Sequence, residues 1–351
     1  MSWKKMSIAI MLSAAFLLGG LMVVNYFVNP LGKYSSREFP SLVWTARADK
    51  AQLLSEFEQE PEVLVLGSSR SMKIDPGFIE QQTDKPSFNA SVNSAMAEDY
   101  YVMLKYALEE VDVKPEAILL GIDVESFHNG RTADDRLVYN NRFLKYLHDK
   151  DRPNIGERVK TMLTYDEVAG SFRSLYFSAT EYPEPMATYT ENGFLHYPER
   201  ERKLEKGTFE PKIKEYVEKY QGRYKGYTAV DADRQDYFEK FLQLAAENDI
   251  KVAGFITTLH DDVIKALDED NVYSDRKKEV TAFLSEMEEK YSHFSYKDFD
   301  RVEKYDGSLE AFYDGAHIQE ENANIITAEL LSEVNLTEPA RASASGSDRP
   351  S

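Results

Sequence analysis

Val63-Leu64-Val65-Leu66-Gly67-Ser68-Ser69-Arg70 is an unbroken apolar run that stops abruptly at Gly-Ser-Ser. Apolar residues at every position leave no face for water, the pattern of a parallel strand covered by helices on both sides. Such a strand delivers the hydroxyls that follow it to its carboxyl end, where open α/β sheets build their sites. Far along the chain, Phe312-Tyr313-Asp314-Gly315-Ala316-His317 sets an acid three residues before a histidine, in a Gly-containing turn ahead of a helix-like stretch. That spacing lets the acid orient the ring, so the two segments together supply a serine, a histidine and a carboxylate.

Outward from the first segment, four more stretches read as strands: Ser87 to Ser91, Ala117 to Asp123, Lys251 to Thr257 and Phe294 to Phe299. Helical apolar spacing marks Thr45 to Gln59, Ala95 to Val111, Asp233 to Asn248, Asp275 to Tyr291 and Glu320 to Val334. Strands alternating with helices predict an α/β fold with a parallel, doubly wound sheet of five strands. The rhythm breaks between about 127 and 228, a Tyr-rich and charged insertion after the third strand, placed to overhang the carboxyl edge as a flap or a substrate-binding lid. The small, polar stretch 337–351 has the composition of a disordered tail.

The chain has 351 residues, 42% of them hydrophobic, enough for a large core. A net charge of -19 without a cluster of Lys and Arg argues against a nucleic-acid partner. No charged residue occurs between Lys5 and Lys33, and Ile8 to Val28 is long enough, at about 1.5 Å per residue, to cross an apolar bilayer core of about 30 Å. Lys4 and Lys5 precede it, which predicts a cytoplasmic N-terminus and an extracytoplasmic remainder. With no small-x-small cleavage site behind it, the stretch reads as an uncleaved signal anchor. The expected organisation is 1–32 as cytoplasmic stub and anchor, 33–336 as the extracytoplasmic domain, and 337–351 as the tail. The absence of cysteine excludes disulfides and Cys-based metal sites and fits a bacterial cell-envelope protein.

The Gly67-Ser68-Ser69 and Asp314-Gly315-Ala316-His317 elements resemble the first and last sequence blocks of the SGNH (GDSL-type) hydrolase superfamily. The resemblance implies a flavodoxin-like three-layer sandwich, with Ser69 as nucleophile, His317 as general base and Asp314 as the residue that holds the ring. A serine hydroxyl needs such an imidazole and carboxylate to become nucleophilic. Asn89-Ala90-Ser91-Val92-Asn93-Ser94 looks like the second block, with Ser94 where that family has an oxyanion-hole Gly. Backbone N–H groups of Ser69 and Ser94 are then the implied oxyanion donors. Leu120-Gly121-Ile122-Asp123 falls where the family has Gly-x-Asn-Asp, and it carries no Asn. These departures, with the anchor, look most like the branch that includes the DltD protein of teichoic-acid D-alanylation and the proteins that acetylate alginate. That branch implies acyl transfer to an envelope polysaccharide or teichoic-acid-like polymer beside a membrane-embedded MBOAT-type acyltransferase.

Arg70, His260 and Asn93 are the candidate substrate contacts, Arg70 as a holder of an anionic group over the nucleophile and His260 because it lies just beyond a strand's carboxyl end; for Arg70 the competing and more common role is a structural salt bridge. The remaining histidines, His128, His148, His196 and His293, have no metal-ligand spacing, and no metal or cofactor is expected. Asp261-Asp262 and Asp268-Glu269-Asp270 read as solvated charge rather than a glycosidase pair. Tyr182, Tyr189 and Tyr197 could stack on sugar rings or simply pack the insertion. The reading is an O-acyltransferase or acylesterase that works through an acyl-serine. Its alternatives are a non-catalytic scaffold or polysaccharide-binding module of the same fold, and a simple carboxylesterase or lipase.

Overall fold

The computed structural model describes residues 2–35, 38–180 and 185–336; Tyr182 and the stretch 337–351 lie outside the described residues. Five strands, β1 (Val63–Leu66), β2 (Ser87–Asn89), β3 (Ala117–Ile122), β6 (Lys251–Ile256) and β7 (Phe294–Asp298), form one sheet in the order β2-β1-β3-β6-β7. The two remaining short strands, β4 (Thr188–Tyr189) and β5 (Leu195–His196), pair as an antiparallel hairpin inside the insertion. All sheet pairings are parallel, and with the hairpin set aside the order is the flavodoxin-like 2-1-3-4-5. In this order the chain reverses direction across the sheet between β1 and β3, so the crevice at their carboxyl ends is the natural site.

Alternate residues of β1 serve two cores. Leu64 and Leu66 join Ile118, Leu120, Val252 and Ile256 under α4 (Ala97–Glu110), α9 (Ala232–Glu247) and α11 (Val272–Lys290). Val63 and Val65 join Ala117, Leu119 and Phe255 against α3 (Pro76–Thr83) and α12 (Glu320–Glu333). This two-sided burial is why the strand is apolar at every position; each such side chain contributes about 1.5–3 kcal/mol.

The first helix, α1 (Trp3–Val28), is long and apolar enough to cross a membrane. A left-handed Asn29 ends it, and α2 (Ala46–Glu56) follows. Between β3 and α9 the described part of the insertion folds as four short helical turns, α5 (Ile155–Met162), α6 (Tyr165–Ser178), the β4-β5 hairpin, α7 (Pro198–Glu205) and α8 (Ile213–Tyr224). α6 and α8 were not legible as apolar stripes because the buried face of α6 is Glu167, Gly170, Ser171 and Ser174 and that of α8 is Tyr216, Tyr220 and Tyr224.

Candidate active site

Two glycines shape the turn after β1. Gly67 has φ +141°, and a Cβ there would lie 2.5 Å from Ser71 Oγ and 2.8 Å from the Gly121 carbonyl. The Gly121 backbone thus leaves no room for a side chain at Gly67, and a Cβ on Gly121 itself would meet the Ser71 side chain, at 1.8 Å from Oγ and 3.1 Å from Cβ. Arg70 N–H donates to Ser68 Oγ (3.2 Å) and Ser71 N–H to the Ser68 carbonyl (3.0 Å). Asn89, at the end of β2, donates to the Ser71 and Ile74 carbonyls (2.9 and 2.8 Å), tying the turn to the second sequence block. Ser68 and Arg70 are buried, while Ser69 between them is half-buried and lines the cavity.

Ser69 Oγ lies 2.8 Å from His317 Nε2, and His317 Nδ1 lies 2.7 Å from Asp314 Oδ1. An ionised carboxylate only accepts, so Nδ1 carries the ring proton and Nε2 is free to accept from Ser69. Asp314 Oδ1 also accepts from the backbone N–H groups of Ala316 (3.1 Å) and His317 (3.0 Å), and Oδ2 accepts from Arg200 Nη1 at 2.9 Å. Burial alone would raise the Asp314 pKa; His317, Arg200 and the Ala316 amide overcome it and hold the carboxyl well below the usual range. The loop is closed by Tyr313 N–H on the His317 carbonyl (2.7 Å) and His260 N–H on the Gly315 carbonyl (3.0 Å).

The chain opens into a cavity of about 780 Å³. Tyr216, Tyr220, Lys219 and Arg223 of α8 form one wall with Tyr197 and Arg200, while Phe39 to Trp44 and Met186 form an apolar lip. Tyr216 meets the His317 ring edge-on at 5.6 Å. Burial and the neighbouring Arg223 lower the Lys219 pKa. In a strongly acidic chain, this mouth has four basic residues, Arg200, Lys212, Lys219 and Arg223, against the acids Asp49 and Glu215.

Ser94 also lines the cavity, at φ +52°, the left-handed conformation that a glycine would adopt without strain. It is held from both sides: Arg223 Nη2 donates to its Oγ (3.1 Å), and Arg47, paired with Asp99 through two bonds, donates to the Asn93 carbonyl (3.2 Å). Among the described residues, the backbone N–H groups of Ser69 and Ser94 have no internal acceptor. Asp123, in the block that lacks Asn, accepts from Thr257 Oγ1 at 2.7 Å and is absent from the cavity wall.

Of the three expected substrate contacts, only Asn93 lines the cavity, with its side-chain oxygen, in the amide orientation that suits its neighbours, 3.1 Å from Arg136. Arg70 requires correction. It is 3% exposed and spends its donors on Glu125, Thr257 Oγ1 (2.8 Å) and Tyr220 OH (2.9 Å), so it braces the sheet edge beneath the site. His260 also requires correction: it caps α10 (Asp261–Leu267) by accepting from Asp262 N–H (3.2 Å), packs against Phe312, and is no part of the cavity wall. Sequence reasoning missed Arg200, Tyr216, Tyr220 and Arg223. Tyr216, Tyr220 and Arg223 recur at i, i+4 and i+7, a helical stripe that is visible once tyrosine and arginine are accepted as its members.

Fold and site together define an α/β protein with a flavodoxin-like parallel sheet and a hydrogen-bonded serine, histidine and aspartate at the sheet's carboxyl edge. The chain belongs to the family described as protein of unknown function DUF1574, whose sequence profile matches residues 9–192. No curated protein matches it. Two solved structures resemble it distantly. One, from Streptococcus pneumonia and provisionally described as a platelet activating factor, is 10% identical, with 93% of this chain and 99% of that chain covered and a TM-score of 0.40. The other, from Bacteroides fragilis NCTC 9343 and provisionally described as an acylhydrolase, is 9% identical, with 84% and 98% covered and a TM-score of 0.37.

Proposed function

We propose that this protein is a serine acyl-transfer enzyme of SGNH type. The observation that carries the proposal is the Ser69-His317-Asp314 chain, with contacts of 2.8 and 2.7 Å, opening on a cavity. His317 Nε2 takes the Ser69 proton as Oγ bonds to the ester carbonyl carbon. The resulting oxyanion is met by the N–H groups of Ser69 and Ser94. Collapse breaks the ester C–O bond, the leaving oxygen takes the proton from His317, and an acyl-Ser69 remains. An acceptor hydroxyl, or water, then yields its proton to His317 as its oxygen bonds to the acyl carbon; the acyl–Oγ bond breaks and His317 returns the proton to Ser69.

Asp314 keeps the imidazole in the accepting tautomer and stabilises the imidazolium. With the N-terminus in the cytoplasm, the reaction is extracytoplasmic and its acceptor a hydroxyl of an envelope glycopolymer; the motif resemblance and the anchor support this finer reading, with an MBOAT-type protein as donor partner. The missing Asn donor favours the second reading, a non-catalytic scaffold of the same fold. The test is release of p-nitrophenol from p-nitrophenyl acetate by the full chain and its Ser69→Ala variant. Release that persists unchanged in the variant excludes Ser69 as the nucleophile.

A further inference from the structure

The segment α5–α6 carries large apolar side chains that are left uncovered among the described residues: Ile155 is 81% exposed, Tyr165 84%, Phe172 66% and Tyr176 65%. At about 100° per residue, Tyr165, Phe172 and Tyr176 fall on one stripe of α6. The opposite stripe, Glu167, Gly170, Ser171 and Ser174, is buried. A soluble surface does not normally collect aromatic side chains in this way, and such patches mark an interaction site.

What covers this stripe follows from what lies behind it. The small face of α6 packs on the C-terminal end of α1, with Gly170 against Pro30. Asn25, the one strongly polar side chain in the last two turns of α1, is fully buried: its Nδ2 donates to the Met162 carbonyl at the end of α5 (2.7 Å), and its Oδ1 accepts from Ser171 Oγ (2.7 Å). The apolar stretch of α1 runs on to Val28, so α5 and α6 grip it within about the last 10 Å of its apolar length. That is the depth at which a bilayer gives way to headgroups, where tyrosine and other aromatic side chains are favoured.

The same helix holds the cavity's apolar lip. Ser174 Oγ donates to the Pro40 carbonyl (2.6 Å), and Leu42 N–H donates to the Pro30 carbonyl (2.8 Å), so Phe39 to Trp44 lie directly beyond the end of α1. Met186, 73% exposed, lines the same cavity.

We infer that α5 and α6 form a platform embedded in the lipid headgroup layer around the C-terminal end of α1, and that the Ser69 cavity receives a membrane-borne amphiphilic ester across its Phe39–Trp44 lip. The second half rests on the acyl-transfer reading above; the first stands without it. Because the chain has no cysteine, single Ile155→Cys, Phe172→Cys, Tyr176→Cys and Gln243→Cys variants of the full chain can carry nitroxides in lipid vesicles. Labels at 155, 172 and 176 should collide more with lipid-dissolved oxygen than with a water-soluble nickel chelate, and the label at exposed Gln243 should do the reverse. Labels on α5 and α6 that behave like the one at 243, or that neither reagent reaches because a protein covers them, overturn the platform.

For delivery, Phe172→Glu combined with Tyr176→Glu should slow turnover of a long-chain p-nitrophenyl ester dissolved in the vesicles about tenfold. The rate at which a soluble fluorophosphonate labels Ser69 should stay unchanged. Equal turnover of the vesicle-borne ester overturns delivery from the membrane. A parent chain that takes no fluorophosphonate and turns over no ester defeats the acyl-transfer reading and delivery with it, while the nitroxide result still decides the platform.

Discussion

Asp314→Asn separates the two jobs that the geometry gives this carboxylate. Oδ1 accepts from three donors, Ala316 N–H, His317 N–H and His317 Nδ1–H, and Oδ2 faces Arg200 Nη1 at 2.9 Å. An asparagine keeps its oxygen among the three donors only by turning its NH₂ onto the Arg200 guanidinium; the flipped amide confronts all three with a donor. The first orientation is the cheaper, and it preserves the ring tautomer while losing the Arg200 ion pair and the negative charge beside the imidazole. Arg200 is partly exposed, at 21%, so water recovers some of the loss, and about 1–3 kcal/mol of stability should disappear. Acylation should slow by about 100-fold or more, because an amide stabilises the developing imidazolium poorly. Adding Arg200→Met removes the facing donor: the double variant should regain about 1 kcal/mol or more in thermal or urea unfolding, yet acylate no faster than Asp314→Asn alone. The assays are unfolding of the full chain in detergent and the rate of fluorophosphonate labelling. Asp314→Asn labelling at the parental rate would refute the assigned role of the carboxylate.

Three further outcomes follow from neighbouring features. Because Ser94 is at φ +52°, Ser94→Gly should keep acylation within a few-fold and stability within about 1 kcal/mol, whereas Ser94→Val, strained at that φ, should lose both, as labelling and melting curves will report. Glu125→Ala takes from the buried Arg70 its hydrogen-bonded carboxylate and leaves it Asp123 at 3.7 Å, Tyr220 and Thr257, so it should cost about 2–3 kcal/mol by urea unfolding, below the range for a buried charge left with no partner. Burial pushes the Glu167 carboxyl up to about 6 despite Lys33, so the folded state binds its proton more tightly than the unfolded state does. Its penalty is therefore present above about pH 6 and fades as the pH falls toward the ordinary glutamate value; Glu167→Gln should raise stability by about 1–2 kcal/mol at pH 8 and by little at pH 4.5.

The sheet was legible because burial on both faces forces contiguous apolar runs. Val63–Leu66 and the body of Ala117–Ile122 could be read directly, and the ends differ by a residue or two: just past Asn89 and Ile256 a further bond, Ala90 N–H to the Val65 carbonyl and Thr257 N–H to the Ile122 carbonyl, holds the chain before it turns away. The Asp314 and His317 motif could also be read, since their contact is three residues long and local. Other parts were hidden for physical reasons. A salt bridge could be expected of Arg70, but not with whom: its carboxylate partner Glu125 is 55 residues away and no local pattern announces the pair. Lys50 reads as surface charge in a helix, yet it is fully buried, with Nζ donating to the Asn89 carbonyl at 2.6 Å, and burial drives its pKa well down. Asn25 disappears inside an apolar count although it joins α1 to the insertion. The wall over Ser69 is built of tyrosine and arginine, residue types that a search for apolar periodicity passes over.

The most direct test of the central claim is the intact mass of the full chain after incubation with a fluorophosphonate serine probe, beside Ser69→Ala and His317→Ala. An activated serine predicts one adduct on the parent, none on Ser69→Ala, and strongly slowed labelling of His317→Ala. A folded parent that takes no adduct, or a Ser69→Ala variant that labels as the parent does, would contradict the assignment of Ser69 as the nucleophile.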